Sequence, residues 1–177
     1  MLHTREPGGT KIGEKLRAIL LDKENSEMDA VTEMLIYAAS RAQHGREVIR
    51  PALESGEVEI CDRFTDSSVA YQGYGRGLGD VVAEVNRSAT GGLEPDMTFW
   101  LDIDPDAGRA RAAKAGEPDR LEREEREFHY RLYEGYKALA RKHPERIKRI
   151  DASQTPDQIA EEIYAYLEEL CGKDEMR

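Results

Sequence analysis

The sequence predicts an α/β fold in which helices cover both faces of a mainly parallel sheet. Short apolar runs at residues 58–61, 97–103 and 147–150 alternate with longer segments that have helical periodicity. Each intervening segment is long enough for the crossover connection that parallel strands require. The length of 177 residues predicts one domain around one hydrophobic core.

The N-terminal third is predicted to contain the end of a strand, a turn and two helices. Residues 1–9 have the pattern of a strand end followed by a Pro-Gly-Gly turn. Apolar side chains then recur at helical spacing over residues 12–20 and again over residues 28–42. Gly45 interrupts the second helix, which is predicted to continue as far as Gly56.

The middle of the chain predicts two interior strands. The run at residues 58–61 is short and β-branched, and an Asp-Arg pair follows it at once. A buried strand in a parallel sheet delivers polar side chains at its carboxyl end in this way, so residues 62–77 are a candidate site. A helix over about residues 79–89 precedes the next strand, at 97–103, where Trp100 is expected in the core.

The C-terminal part predicts a lid, a strand and a final helix. The helical pattern of residues 106–142 is broken by a Gly-Glu-Pro sequence, which predicts a lid at about 114–122. A strand at 147–150 and a tight loop at 151–153 follow, and Pro156 opens the last helix.

The composition narrows the range of functions. The chain is 39% hydrophobic and 35% charged with a mean hydropathy of −0.71, which is typical of a polar globular protein. Its formal charge of −10 and pI near 5.0 argue against general nucleic-acid binding. Apolar runs long enough for a membrane span or a signal peptide are not found, so a cytoplasmic protein without a membrane partner is expected. Two distant cysteines and four scattered histidines predict reduced thiols and no zinc site.

Six segments of the chain carry a resemblance to one family. They are residues 4–10 (TREPGGT), 37–44 (YAASRAQH), 62–64 (DRF), 66–77 (DSSVAYQGYGRG), 89–96 (ATGGLEPD) and 101–105 (LDIDP). Each alone is a weak signal, but together they resemble thymidylate kinase, of the P-loop nucleoside-monophosphate kinase group, in order and spacing. The resemblance covers essentially the whole chain.

The resemblance implies the three-layer fold of P-loop NTPases with one part missing. The pattern G-x-x-x-x-G-K-[ST], which holds the donor phosphates in this group, does not occur in the sequence. The chain starts at what resembles the family's second strand, so the first strand, the phosphate loop and the first helix are expected to be absent. In the family that strand lies between the strands matching 58–61 and 98–103, and its loss would leave two open edges. We therefore expect a chain shorter than the ancestral gene product, with poor stability and no measurable kinase activity.

The resemblance places the phosphate of dTMP beside the first interior strand. Arg63 would bind the 5′-phosphate through its rigid fork, with a structural salt bridge as the alternative. Asp62 would lie near the Mg²⁺ that bridges the two nucleotides, or else serve as a capping carboxylate. Both are expected to act in catalysis. The loop containing Arg5, Pro7 and Gly8 would line the same phosphate, and a plain turn is its alternative.

The base and sugar of dTMP would contact two helical segments. Tyr37 and Arg41 are four residues apart on one helical face, so that the ring and the guanidinium can converge on one ligand. The resemblance makes Tyr37 the stacking surface under thymine and Arg41 the donor to the base edge. A core aromatic and a surface arginine are the alternatives. Ser68, Tyr71 and Gln72 match positions that bracket the sugar and base, where Tyr71 would exclude a 2′-hydroxyl or simply pack.

The lid supplies the candidate cations for ATP. Arg111, Lys114 and Arg120 could close over ATP and neutralise charge on the transferring phosphoryl group, although a solvated charged face is the ordinary alternative. Family members without an arginine in the phosphate loop usually carry one in the lid, at the position that is Ala115 here, so the three cations would be its substitutes. Ala152 matches a loop near the adenine, and a helix N-cap is an equally good interpretation of that loop.

The resemblance therefore implies a kinase that transfers the γ-phosphoryl group of ATP to dTMP and gives dTDP, a step of dTTP biosynthesis, with Mg²⁺ as cofactor. It also implies a homodimer formed by helices matching residues about 28–55 and 67–89. The alternative is a non-catalytic protein that keeps the monophosphate pocket without ATP turnover. An in-frame phosphate-loop sequence in the DNA upstream of Met1 would favour the enzyme.

Overall fold

The structure, a computed structural model, describes residues 1–114 and 116–174. Its strands are β1 (Leu2–Arg5), β2 (Glu59–Asp62), β3 (Thr98–Asp102) and β4 (Ile147–Asp151). Its helices are α1 (Lys11–Leu21), α2 (Ala30–His44), α3 (Arg50–Glu54), α4 (Thr65–Ser68), α5 (Val81–Thr90), α6 (Pro105–Ala112), α7 (Arg126–Lys142) and α8 (Pro156–Asp174). The order of strands and helices is the one that the sequence predicts.

Two helical segments have π-helical hydrogen bonding that the sequence pattern does not predict. Gly45–Ile49 joins α2 to α3, and Val69–Gly75 continues α4. The predicted continuation of the helix beyond Gly45 is therefore correct in extent but not in geometry. π-Helical turns are rare and occur frequently at functional sites.

All the strand pairing in the described residues is parallel, as predicted. β1 pairs with β2 from Leu2 opposite Glu59 to Arg5 opposite Asp62. β3 pairs with β4 in the same way, and the two pairs form separate two-stranded sheets. The reason is that, within 1–114 and 116–174, no strand hydrogen-bonds to both β2 and β3. A missing central strand stays a prediction.

The core lies between the β3–β4 sheet and the helices that cover it. Trp100 is 8% exposed and packs with Ala70, Leu139 and Ile147, which confirms its predicted place in the core. Its ring is stacked on that of Tyr136 at 6.1 Å between centroids. This arrangement seats α7 against the π-helical segment Val69–Gly75 and fixes one side of the candidate site.

A buried polar cluster joins α4 to the same sheet. Asp66 accepts hydrogen bonds from the two terminal nitrogens of Arg146, at 2.6 and 2.7 Å, and from the Thr98 hydroxyl at 3.0 Å. A bidentate arginine–carboxylate pair has a fixed geometry, so it orients the start of the π-helical segment. None of the described helices is long and apolar enough to cross a membrane.

Candidate functional site

A cavity of about 300 Å³ lies at the carboxyl end of the β1–β2 sheet. It is bounded by the turn after β1, by α2, by the π-helical segment and by the start of α7. Seven of the nine predicted dTMP-site residues line it, and the two that do not are Arg5 and Gly8. Asp62 lines it as well. The seven are Pro7, Tyr37, Arg41, Arg63, Ser68, Tyr71 and Gln72.

Arg63 is a cation in the cavity wall that has no ion-pair partner among the described residues. It follows β2 with a φ of 68°, a left-handed conformation that costs a residue with a side chain about 1–2 kcal/mol. Its Nη1 donates to the Tyr71 hydroxyl at 3.2 Å, and its guanidinium lies 5.2 Å from the Tyr71 ring centre. Tyr71 is the main cause of the raised pKa of Arg63. Among the described residues no carboxylate forms an ion pair with it, so its charge is available for an anion.

Arg41 is buried inside a network of protein acceptors. At 2% exposure, it donates from Nε to Glu6 at 2.7 Å, from Nη1 to the Ser68 hydroxyl at 2.9 Å and to Asn86, and from Nη2 to the Phe64 carbonyl at 3.1 Å. A guanidinium has five N–H donors, and four are used here. The predicted alternative of a surface arginine is wrong. One N–H of Arg41 therefore remains for its predicted role as a donor to the base.

Glu6 and His44 extend the network to β1. The Glu6 carboxylate lies 3.0 Å from His44 Nδ1, and the other ring nitrogen lies 2.7 Å from the Thr4 hydroxyl. His44 is fully buried, and a side chain at Gly9 would lie 2.6 Å from its ring. Gly9 has a φ of 75°, so the turn requires glycine here both for its conformation and for its close approach.

Gln72 lines the cavity and carries an acceptor that has no partner among the described residues. It is 1% exposed, and its amide nitrogen donates to the buried Glu33 at 2.9 Å. Its Oε1 is buried without a hydrogen-bond partner in the described part of the chain. An unpaired acceptor is costly inside a protein, and such an atom in a cavity wall is suited to a ligand donor.

Two tyrosines supply the aromatic surface of the cavity. Burial is the main cause of the raised pKa of Tyr37, followed by the nearby Glu33 charge, so the phenol stays neutral. The Tyr71 ring meets Phe128 edge to face with centroids 6.1 Å apart. This contact holds the Tyr71 ring beside Arg63, so the two residues form one face of the site.

The predicted loop after β1 contributes unevenly. Pro7 lines the cavity, and its carbonyl accepts from Arg17 at 2.9 Å. The Gly8 N–H donates to the Ser40 hydroxyl at 3.2 Å, whereas the Arg5 guanidinium is exposed and paired with Glu14 at 3.0 Å. The structure therefore does not bring Arg5 and Gly8 into the cavity wall.

The predicted lid cations do not lie together. Arg120 is 7% exposed, and its guanidinium is bound by Glu33 at 2.7 Å and by the Leu20 carbonyl at 2.8 Å. Arg111 donates to the Ala152 carbonyl at 3.2 Å, which unites two residues predicted for the ATP side. Lys114 is exposed, and Ala115 lies outside the described residues.

Asp62, the carboxylate predicted to lie near Mg²⁺, is one of the acidic residues in the cavity wall. It is exposed at the end of β2 in the cavity wall, beside Arg63. In the described residues no three His, Cys, Asp or Glu side chains cluster closely enough to hold a metal on their own. The chemistry nevertheless fits Mg²⁺, which is commonly bound by one or two carboxylates with substrate phosphates and water.

Several cavity residues were not predicted from the sequence. They are Glu6, Arg17, Leu21, Ser67, Asp119, Leu121, Glu122 and His129. His129 Nε2 is buried without a hydrogen-bond partner among the residues described, and burial followed by the Arg109 charge lowers the pKa of the ring. A single histidine next to Phe128 gives no sequence signal for this. Glu33, which holds Gln72, could have been found because it lies four residues before Tyr37 on the same helical stripe.

The fold and the cavity together define a class of protein. A cavity at the carboxyl ends of parallel strands is the usual ligand site of α/β proteins. An unpaired arginine suits a phosphate and an unpaired amide carbonyl suits a heterocyclic N–H, so the class is that of α/β proteins whose cavity chemistry suits a phosphorylated nucleoside.

Comparisons with known proteins identify the family. The family model described as thymidylate kinase matches residues 1–163. The thymidylate kinase of Lactobacillus delbrueckii subsp. bulgaricus is 56% identical over 162 residues, covering 90% of this chain and 76% of the relative. That of Gloeobacter violaceus is 46% identical over 180 aligned residues, covering 100% and 84%. The crystal structure of thymidylate kinase from Ehrlichia chaffeensis aligns with a TM-score of 0.75 and 30% identity over 94% of this chain and 80% of that one. The chain belongs to the thymidylate kinase family, whose members are phosphotransferases.

Proposed function

We propose that the cavity is the dTMP site of a kinase that transfers the γ-phosphoryl group of ATP to dTMP and forms dTDP. One observation carries the proposal. Arg63, a cation without an ion-pair partner in the described residues, and Gln72, whose buried Oε1 has no hydrogen-bond partner there, line the same cavity of about 300 Å³. The first suits a phosphate and the second suits the N–H of a pyrimidine, and family membership supports both assignments.

Thymine would lie against Tyr37 and be read at its edge. The neutral phenol ring offers a flat surface for stacking, and Gln72 Oε1 would accept from the base N–H. Arg41 would contribute its one remaining N–H, while its other donors hold Ser68 and the Phe64 carbonyl in place. Ser68 thus acts on the ligand mainly by fixing the shape of the wall.

The phosphate of dTMP would be held by Arg63. Phosphoryl transfer depends largely on positioning and on charge stabilisation, and a fork-shaped guanidinium provides both for an acceptor oxygen. Asp62 would hold Mg²⁺, which when bound neutralises charge between the two nucleotides. Arg111, tethered at the Ala152 carbonyl, and Lys114 would face ATP. Arg120 would act on the lid through its bonds to Glu33 and Leu20.

The ATP side also requires a phosphate-binding loop. We propose that a strand carrying such a loop would pair between β2 and β3. Two observations support this: the sheets are not joined, and Val58, Ile60 and Leu101 expose 64%, 44% and 51% of their surface. Strands of a parallel sheet ordinarily have both faces covered. The 177-residue chain is therefore expected to bind dTMP without forming dTDP.

We also propose that the active form is a homodimer. Helices α2, α3 and α5 lie in the two segments that the family resemblance assigns to subunit contact. Four of their large apolar side chains are 42–52% exposed, and an apolar surface of this kind is typical of protein contacts. They are Val31, Leu35, Leu53 and Val81.

The test is calorimetric titration of the purified chain with dTMP and with thymidine, followed by an assay for dTDP with ATP and Mg²⁺. We expect dTMP to bind more tightly than thymidine, and Arg63→Ala to remove most of that difference. Arg141→Ala, which changes an exposed arginine at the far end of α7, is the matched control. If dTMP does not bind, the acceptor site is wrong. If dTDP forms, the requirement for a further loop is wrong.

A further inference from the structure

We propose that Glu33 is a positioning residue for base selection. Its carboxylate fixes the Gln72 amide so that the carbonyl oxygen, and not the NH₂ group, faces the cavity. A cavity with this acceptor favours pyrimidines that carry a ring N–H, thymine and uracil, over cytosine. The inference rests on the proposed dTMP site and concerns a residue that would not touch the ligand.

The hydrogen bonds of Glu33 are saturated. Oε1 accepts from Gln72 Nε2 at 2.9 Å and from Arg76 Nε at 3.2 Å, and Oε2 accepts from Arg76 Nη2 at 2.9 Å and from Arg120 Nη2 at 2.7 Å. A carboxylate offers about four acceptor sites, so these four donors fill it. The side chain is fully buried and held by two cations, which prevents it from turning away.

Glu33 remains an acceptor at neutral pH. Burial alone would raise its pKa, but hydrogen bonds from Arg76, Gln72 and Arg120 outweigh it and lower the pKa below the usual range. An ionised carboxylate has no proton to donate. Whatever group of Gln72 faces Glu33 must therefore be the donor.

This requirement decides the orientation of the Gln72 amide. The oxygen and nitrogen of an amide have nearly the same shape, so the choice follows from the hydrogen-bond partners. With the amide reversed, two acceptors would oppose each other and the buried carboxylate would lose a donor. Gln72 therefore presents Oε1 on the side away from Glu33, where this buried atom has no other partner in the described ranges and the residue lines the cavity.

A fixed acceptor distinguishes pyrimidines by their ring nitrogen. N3 of thymine and uracil carries a hydrogen and can donate to Oε1, whereas N3 of cytosine is itself an acceptor. Opposed acceptors in a buried site leave both unpaired, which predicts about 10- to 100-fold weaker binding of dCMP than of dTMP. If Glu33 could also donate, Gln72 could present NH₂ instead and this difference would shrink.

The experiment uses the 177-residue chain and measures two quantities. They are the affinity ratio of dTMP to dCMP and the solvent exchange of the Gln72 side-chain amide. Glu33→Gln keeps the shape of the side chain but gives it a donor, so we expect the affinity ratio of dTMP to dCMP to fall at least several-fold. Glu124→Gln is the matched control, because Glu124 also pairs with Arg76, at 2.6 Å, but does not contact Gln72. It should leave the ratio unchanged. An unchanged ratio in folded Glu33→Gln would overturn the proposal.

Nitrogen-15 NMR of the Gln72 side chain tests the same inference without a nucleotide. In the wild-type chain the NH₂ group should be protected from solvent exchange, and Glu33→Gln should reduce the protection. If the variant does not fold, the wild-type signal decides: a protected NH₂ supports the proposal and a rapidly exchanging one refutes it. If the wild type binds no nucleotide, the dTMP function fails, while the same NMR signal still decides the role of Glu33.

Discussion

Replacing Arg41 with alanine should destabilise the whole fold and not only change the ligand site. The guanidinium is 2% exposed and connects Glu6 of the β1 turn to Ser68, Asn86 and the Phe64 carbonyl. Its removal leaves the Glu6 carboxylate, 3% exposed, with His44 as its one side-chain partner among the described residues. An uncompensated buried charge is the dominant cost of such a change.

The expected magnitude follows from this burial. Breaking a buried ion pair by removing one partner costs about 3–5 kcal/mol, against about 5–15 kcal/mol for the stability of a typical domain. For a chain of this size each kcal/mol corresponds to about 2–4 °C, so the melting temperature of Arg41→Ala should fall by about 6–20 °C. A simple loss of one donor to a base would leave the melting temperature nearly unchanged.

Thermal unfolding followed by circular dichroism measures the effect without any nucleotide. Arg46→Ala is the control, since Arg46 lies five residues further along the chain and is exposed. It should change stability by no more than about 0.5 kcal/mol. A variant Arg41→Ala that melts like the wild type but no longer binds dTMP would show that Arg41 serves the ligand and not the fold.

Three further predictions concern single side chains. Arg63→Ala should weaken dTMP binding about 10- to 150-fold, the loss of a charge-assisted contact of about 1.5–3 kcal/mol, and leave thymidine binding unchanged by calorimetry; an equal loss for both would contradict a phosphate contact. Both Glu59 carboxylate oxygens are buried without partners among the residues described, and burial is the main cause of the raised pKa of this group. Because the pKa of Glu59 is higher in the folded state, stability falls as pH rises from the unfolded-state pKa through the folded-state pKa. Glu59→Gln should therefore raise the melting temperature more at pH 8 than at pH 5. A gain that does not depend on pH would refute this. Leu35→Glu should convert a dimer into a monomer in sedimentation at micromolar concentration, while Tyr164→Glu, on the exposed face of α8, should not; a wild-type monomer would contradict the interface.

The parts of the site that could be predicted are those set by local sequence. The Pro-Gly-Gly turn follows from the conformational limits of proline and glycine, and the polar ends of β2 follow from the alternation of buried strands with loops. Both place cavity residues such as Pro7 and Asp62 correctly. Family resemblance gives six of the other cavity residues, and the remaining eight are not predicted.

The roles of the buried charges could not be predicted in this way. Arg41 meets Glu6 and Asn86 across 35 and 45 residues of sequence, and Arg120 meets Glu33 across 87. Helical periodicity indicates which face of a helix is apolar, but it does not indicate which distant residue a charged side chain on that face contacts. The family resemblance therefore implies ligand roles for Arg41 and Arg120, although the tertiary structure surrounds both with protein acceptors.

In the π-helical segment Val69–Gly75, the number of residues constrains the site as well as their identity. Its widened turn allows the consecutive residues Tyr71 and Gln72 both to line the cavity. Deleting one residue would restore ordinary α-helical spacing and rotate everything beyond it by about 100°. Arg76 would then turn away from Glu33, although neither of these two residues had been substituted. Libraries that vary only residue identity cannot sample such a change, whereas a set of single-residue deletions across 69–75 would.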